Sequence, residues 1–571
     1  MPARTDVAII GAGHNGLVAA NYLARAGLSV AVFEARPVVG GACVSEELIP
    51  GSRWSSCAFV RGLLRDEIVD ELELERFGLE TYAPDVQGFA LFKDGSHLFL
   101  WKELDRTLRE LERYSPRDAR RFIEFGARFR RFGDILRPWL LRPPPSRSEL
   151  LQAFEEAGED ELLNEFVLGS ARDVLEKYFE SEHIKGFLCF YSVVSVWGGP
   201  STPGTGYVFG HHASGEYRGN FGQWAFVRGG MGGITQALAN AARHHGAVIR
   251  TEAPVSRVLV RDGRVQGLVL ADGEEVAASV VLSNADPKRS LLRLLEPGDL
   301  DPAFRARVEG IDQRGSMARI HLLVDELPHY IGFDSAAPGP QHMGHQMLGT
   351  SVENFEQAWE AQRRGTMPAE YAIEAIIQSV TDPTLAPAGQ HTLTLGVQQL
   401  PTVPAEGSWD LIKERWADKV MEDFCRYAPN IRNHVLARHV ITPLDLERDY
   451  NITGGNIFHG QMTLDQLFGA RPLPELAHYR TPVAGYYLCG AGQHPGGGVM
   501  GAPGHNAAKL LLADLRGESD EAPPRRGGGK GKKRLVDRLL ETPIGQDIGY
   551  KVARSRTLRK LTQQATKTRK S

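Results

Sequence analysis

Cysteine is scarce in this 571-residue chain: Cys43, Cys57, Cys189, Cys425 and Cys489 are scattered, with no CxxC among them. That excludes a disulfide framework and a cysteine-built metal site, and fits free buried thiols in a reducing compartment. No apolar run approaches the roughly 18 residues that span a bilayer. No leader pattern precedes the first strand-like run, so the expected location is cytoplasmic. GxSxG, HExxH and P-loop motifs are missing, which removes the nucleophile-elbow, zincin and P-loop chemistries. His211-His212 and His244-His245 are adjacent pairs that cannot share a helix face, so no metal site is expected.

Charge of one sign is concentrated rather than lacking. The net charge is −4, yet from Arg525 onward fifteen Lys or Arg face three Asp or Glu. The body is therefore acidic and the tail basic. Between them GESDEAPPRRGGGKGKKR reads as a linker. The length is enough for roughly three or four domain-sized units.

Glycine is plentiful, and its placement carries the chemistry. Residues 6–16, DVAIIGAGHNG, run from an apolar strand into Gly11-x-Gly13-x-x-Gly16 and then a helix, LVAANYLARAG. A second strand, SVAVFE, ends at Glu34, 18 residues after Gly16. Gly11 permits the tight turn, Gly13 lets backbone approach a pyrophosphate, and Gly16 lets helix and strand pack closely. An acid at Glu34 accepts hydrogen bonds from a ribose. Ala12 and Asn15 complete the loop. With strand, helix, strand and acid in register, this is a dinucleotide site.

Past the acid, ARPVVGGAC carries Ala35, Arg36 and the pair Gly40-Gly41. This extension resembles the FAD signature of the amine oxidase, phytoene desaturase and glutathione reductase superfamily. The resemblance implies FAD, with Arg36 and Gly40-Gly41 along its diphosphate and ribityl chain. Cys43 has Leu48 five residues on rather than a second cysteine, so dithiol chemistry is not expected. FVRGGMGGITQALANAARHHGAVIRTEAPVSRVLV, with its glycine turn Gly229 to Gly233, resembles the family's second FAD segment, which implies a backbone contact from Val255 to adenine. VVLSNADPK (280–288) reads equally as a strand returning to the cofactor or as an ordinary strand-to-turn ending.

A second glycine turn lies near the end. Residues 453–508 read as loop, helix, short loop, strand (Tyr486-Tyr487-Leu488), glycine turn and helix. Seven of the twenty residues from Cys489 to Ala508 are glycine. Gly490, Gly492, Gly498, Val499 and Met500 are its candidate contacts to the other end of the same cofactor. Backbone N–H groups and a helix N-terminus there favour the electron-rich edge of a reduced flavin. The stretches GGNIFHG, LDQLF-x-x-RP and LCGAGQHPGGGVMGAPG resemble the phytoene desaturase-related flavoproteins, most closely the branch called pyridine nucleotide-disulfide oxidoreductase domain-containing protein 2, over about residues 5–515.

The expected fold is α/β: a Rossmann-type FAD-binding domain (1–80 with 220–290 and 480–516) interleaved with an α+β substrate domain (81–219 with 291–479). A linker (517–533) and a basic tail (534–571) follow. The resemblance implies an FAD-dependent oxidoreductase taking hydride from a C–H bond to flavin N5. A hydrophobic, polyene or lipid-like substrate is expected. In amine oxidases a tyrosine stands in the C-terminal glycine turn, where this chain has Gly498, which counts against amines. A regulatory or binding protein on the same fold without turnover, and an amine oxidase, are the rivals. No second Rossmann signature for NAD(P)H is found, so oxygen, a quinone or another membrane acceptor is expected to reoxidise the flavin. His494, His505 and His459 flank the turn as weak catalytic candidates that also serve as loop-fixing hydrogen-bond partners. In residues 121–145, Phe122, Phe125, Phe129, Phe132 and Leu136 share one helical face, read as core or as a membrane-touching patch. The tail reads as a solvated extension, an anionic-membrane contact at the inner face, or nonspecific nucleic-acid contact; no specific nucleic-acid site is expected. The sequence leaves oligomeric state open.

Overall fold

The computed structural model describes residues 4–518 except 214, 334 and 336; the basic tail and the linker from residue 519 on lie outside the described residues. The chain opens with β1 (Arg4–Ile10), α1 (His14–Arg25) and β2 (Val30–Phe33). Val7 to Ile10 and Val30 to Phe33 are buried throughout, as strands covered on both faces must be. α2 (Gly232–His244), β3 (Val248–Arg250), β4 (Val255–Arg261), β5 (Arg264–Leu270) and β6 (Glu275–Ser283) follow much later; β7 (Tyr486–Leu488) and α3 (Ala502–Leu515) close the unit. The sheet order is β3-β2-β1-β6-β5-β4, with β7 also on β6. Helices α2 and α3 both pack on α1.

One edge of β6 is shared. Its start, Glu275 to Ala277, pairs antiparallel with β5, whereas its end, Val281 to Ser283, pairs parallel with β7. The registers therefore set Arg250, Phe33, Ile10, Ser283 and Leu488 in one row across five parallel strands. The residues that follow (Gly11, Glu34, Asn284 and Cys489) leave the sheet side by side. The carboxyl ends of parallel strands are where this class of sheet binds ligands.

A second seven-stranded sheet runs in the order Val435–Ile441, Ala318–Val324, His391–Val397, Ile373–Ile376, His345–Leu348, Val86–Leu91 and His97–Trp101. All neighbours are antiparallel except His345–Leu348 beside Val86–Leu91. A helix, Trp409–Phe424, buries Trp409, Trp416 and Phe424 in the core beside it.

Helices fill residues 104–213. In the helix Pro116–Leu136, Ser115 caps the start by accepting the Asp118 N–H, and Pro116 sits at the first turn where no N–H is needed. Its aromatic stripe faces inward. Phe125, Phe129, Phe132 and Leu136 are buried, and Phe129 stacks edge-on with Phe166 at 4.6 Å. Phe154, Tyr207 and Phe209 complete that core. Phe122 alone of the stripe is half-buried. The stripe is thus a core face. Among the described residues no helix is long and apolar enough to cross a membrane.

The helix expected between residues 453 and 485 is absent. Only short 3-10 turns occur there, at Leu464–Gln466, Phe468–Ala470 and Pro474–Leu476. Pro472 and Pro474 remove the N–H groups that a helix would aim at Phe468 and Ala470, and other carbonyls of this loop are met by a side chain instead. Arg471, 1% exposed, donates to the carbonyls of Phe458, Gln461, Gln466 and Ala491.

Candidate functional site

The first glycine loop closes on the acid at the end of β2. Ala12 N–H donates to Glu34 Oε2 at 2.8 Å, and Arg36 N–H donates to Glu34 Oε1 at 3.0 Å. Gly40 N–H donates to the Ala12 carbonyl at 2.9 Å, and Gly13 pairs with Gly40. The glycines are required by contact. A Cβ at Gly16 would collide with the Gly11 carbonyl, and one at Gly13 would lie 2.6 Å from Asn284 Nδ2. Gly40 and Gly41 both have positive φ. The segment ahead of β4 lies along the same edge: Glu252 N–H donates to the Arg36 carbonyl and Ala253 N–H to the Glu34 carbonyl. That sets Ala253, two residues before Val255, against Glu34.

The second turn leaves β7 next to it. Cys489 N–H donates to the Ser283 carbonyl at 2.8 Å. A Cβ at Gly490 would lie 2.6 Å from the Asn284 carbonyl, and one at Gly492 would lie 2.8 Å from the Pro287 ring. Further on, Gly498 has φ +104°, and a Cβ there would collide with Leu63. Val499 has φ +57°, a left-handed conformation that a β-branched residue rarely adopts and that costs about 1–3 kcal/mol. Met500 keeps its carbonyl on the Arg65 N–H, and α3 starts two residues on, its first-turn amides uncapped by any side chain. Leu63, Met500 and Ala502 form an apolar cluster here with Leu140 and Leu141.

The three histidine candidates sit in different surroundings. A ring nitrogen of His494, Nε2, donates to the Trp139 carbonyl at 2.8 Å, and Tyr479 Oη–H donates to the His494 carbonyl. Burial pushes His494 down to about 4. His505 pairs Nδ1 with Asn506 Oδ1 at 2.8 Å and stands edge-on to Tyr22. His459 has φ +58°, its carbonyl accepts from Gln313 Nε2, and its Nδ1 is buried without a partner among the described residues. Burial lowers His459 and His505 as well. His14, at the start of α1, is held down at about 4 by burial and then by His459. His211 holds the turn from the other side, its Nε2 on the Gly497 carbonyl at 3.1 Å, and burial pushes it to about 3.

All five cysteines are free and buried, and burial pushes the Cys43 thiol up, out of the range of a reactive thiolate. Sequence reasoning missed Arg471, whose four carbonyl contacts tie the 458–466 loop to the second glycine turn; its only local signal is the RP of LDQLF-x-x-RP. It also missed Arg289, Gln493 and a buried cluster of Arg319, Glu374 and His345 on the second sheet.

The donor set suits a long, polyanionic ligand with a polar ring edge. Among the described residues, buried atoms without partners include the donors Arg36 Nη1 after β2, Arg289 Nε after β6 and Gln493 Nε2 after β7, and the acceptors Asn15 Oδ1 after β1 and Gln493 Oε1 after β7. Each belongs to a segment leaving the same sheet edge. Arg36 is oriented there by an ion pair to Glu46 and by the Tyr450 ring, 4.4 Å away.

Comparison with known proteins places this geometry. Residues 16–511 match the family model described as flavin containing amine oxidoreductase. Pyridine nucleotide-disulfide oxidoreductase domain-containing protein 2 of Rattus norvegicus is 39% identical over 545 residues, 90% of this chain and 94% of that protein. A limonene dehydrogenase component of Castellaniella defragrans is 25% identical, covering 89% of this chain and 95% of its own. A putrescine oxidase variant redesigned for cofactor binding superposes with a TM-score of 0.56 at 17% identity, covering 90% of this chain and 99% of its own, and so shares the fold.

Proposed function

The chain belongs to the flavin-containing amine oxidoreductase family and is an FAD-dependent oxidoreductase, and from that premise we propose that it dehydrogenates an apolar substrate rather than an amine. The rival reading, a regulatory protein without turnover, gives way to the family membership.

We assign the cofactor to the edge where β1, β2, β6 and β7 end. Gly11, Ala12, Gly13, Asn15 and Gly16 would face the pyrophosphate with α1 behind them. Glu34, Ala35 and Val255 would serve the adenosine half, and Arg36 with Gly40 and Gly41 the diphosphate and ribityl chain. Gly490, Gly492, Gly498, Val499 and Met500 would meet the flavin. When bound, FAD supplies the two-electron acceptor for a substrate C–H bond. This chain's residues then hold and shield. The N-terminus of α3 stabilises negative charge beside it. His211 and His494, held neutral by burial, fix backbone by hydrogen bonds without adding charge.

The apolar character of the second turn carries the substrate reading. Gly498 has no side chain; Leu63 lies against it, with His211 Nε2 3.6 Å from where its Cβ would be, and Leu63 clusters with Met500, Leu140 and Leu141. A protonated amine would not meet the tyrosine that amine oxidases place in this turn, where this chain has Gly498, and an unpaired buried charge costs several kcal/mol. The limonene dehydrogenase relative, whose name specifies a hydrocarbon, supports the same class. Reoxidation by oxygen, a quinone or another membrane acceptor accompanies it, and delivery from a membrane surface through the basic tail fits an apolar substrate.

The test is anaerobic titration of the flavin-loaded protein with terpenes, polyenes and amines. Bleaching of the flavin band near ~450 nm by an apolar alkene is expected. Bleaching by amines alone would overturn the reading.

A further inference from the structure

On the second sheet, away from the cofactor edge, three ionisable residues are buried together. Arg319, Gly396 and Glu374 stand in one row across neighbouring strands. Arg319 reaches Glu374 over Gly396, where a Cβ would collide with the guanidinium. Met347 pairs with Glu374 in the next strand, and His345 lies two residues before it on the same face. The Glu374 carboxylate receives Arg319 Nη1 on one oxygen and His345 Nε2 on the other. Each of the three is about 4% exposed. Burial pushes the Glu374 carboxyl up, but the Arg319 charge and the hydrogen bonds from Arg319 and His345 outweigh it and hold it below the usual carboxylate range.

Arg319 already balances Glu374. A neutral imidazole that gives its Nε2–H to Glu374 leaves the triad without net charge and leaves Nδ1 as an acceptor. That Nδ1 is buried and has no partner among the described residues. Aromatic rings close around it: Phe190 at 5.5 Å, Trp224 at 5.6 Å and Tyr191 at 6.1 Å. The cage adjoins the second glycine turn through adjacent residues. The Trp224 ring lies 3.4 Å from where a Gly62 Cβ would be, and Leu63 lies against Gly498.

A buried acceptor without a partner costs about 1–3 kcal/mol, and a pure hydrocarbon would leave it so. We propose that His345 is a specificity-determining residue, whose Nδ1 accepts a hydrogen bond from a hydroxyl group carried by an otherwise apolar substrate. Glu374 and Arg319 are positioning residues that fix the tautomer and the ring. The proposal rests on the apolar-substrate reading and narrows it from hydrocarbons to hydroxylated apolar molecules.

The probes are 1-octanol and methyl octyl ether, read by perturbation of the visible flavin spectrum of the loaded enzyme without turnover. The ether is the more apolar but has no donor. Wild type is expected to prefer the alcohol, the reverse of the hydrophobicity order. His345→Phe should shift the alcohol-to-ether affinity ratio by at least about tenfold toward the ether, and His345→Gln, which keeps an acceptor, should restore most of it. Wild type preferring the ether, or an unchanged ratio in His345→Phe, would overturn this proposal alone. Binding of neither probe would overturn the apolar-substrate reading with it. The wild-type preference decides the matter even if the Phe variant does not fold.

Discussion

Replacing Arg471 by Met tests whether one buried side chain holds the flavin end of the site. Met keeps the length of the stem and removes the guanidinium. Four carbonyls then lose donors: Phe458 at 2.7 Å, Gln461 at 2.7 Å, Gln466 at 3.2 Å and Ala491 at 3.0 Å. Each stranded carbonyl costs about 1–3 kcal/mol if it stays dry. Against this, a charge no longer has to be buried; burial already drags the Arg471 guanidinium down to about 10. Taking roughly 1 kcal/mol per carbonyl as the net, the loss is about 4 kcal/mol. Its place matters more than its size. Ala491 is in the second glycine turn and Phe458 is on the facing loop, so the cost falls on the conformation that binds flavin. If only that conformation is affected, the apparent FAD dissociation constant rises by two to three orders of magnitude, at 1.4 kcal/mol per tenfold. Two measurements separate the outcomes: FAD affinity by equilibrium dialysis, and the urea midpoint of the apoprotein. A large loss of affinity with a modest midpoint shift is expected. Wild-type affinity together with a wild-type midpoint would refute the clamp.

Three further outcomes follow from the same geometry. Gly16→Ala drives a methyl into the Gly11 carbonyl and should leave the purified protein colourless, whereas Gly27→Ala, with open space around its Cβ but the strain of φ +88°, should lower stability by about 1 kcal/mol and keep flavin; equal flavin content in both would contradict the cradle. Phe129→Ala should cost about 3–5 kcal/mol in urea unfolding and leave liposome binding untouched, while a loss of liposome binding at unchanged stability would put the stripe at a membrane. Lowering pH should destabilise the fold well before carboxylates titrate. His211, His212, His321 and His494 are depressed by burial to about 3 or 4 from 6.5. Above pH 6.5 both states are neutral; below it the unfolded chain takes up protons that the folded one refuses. Each histidine then removes about 2 kcal/mol by pH 5, so the urea midpoint should fall steeply between pH 7 and 5. A flat profile there would mean that these rings are protonated in the fold.

What the sequence discloses depends on how local the cause is. The first glycine loop is legible because Gly11, Gly13, Gly16 and Glu34 act within one βαβ unit, and each has a distinct steric or hydrogen-bonding duty. The last glycine turn is legible for the same reason: β7, turn and α3 are contiguous. Nothing local announces that β6, more than two hundred residues from either glycine turn, stands between β1 and β7 and puts both turns on one edge. The phenylalanine spacing shows that one face of Pro116–Leu136 is apolar but not what covers it, since the cover comes from Phe154, Phe166 and Phe209 on other elements. The false helix in 453–485 fails for a reason that periodicity cannot hold: a long side chain, not a helical N–H ladder, satisfies those carbonyls. The Arg319–Glu374–His345 cluster is the extreme case, because its members belong to different strands and meet only when the sheet registers are fixed. Gly396 is the one trace it leaves in the sequence. A glycine inside the strand His391–Val397 weakens it by roughly 0.5–1 kcal/mol, and its presence is explained by the guanidinium that crosses above it. The proposed specificity cluster is thus read from what a strand lacks at one position, and the proposed cofactor cradle from what a turn repeats.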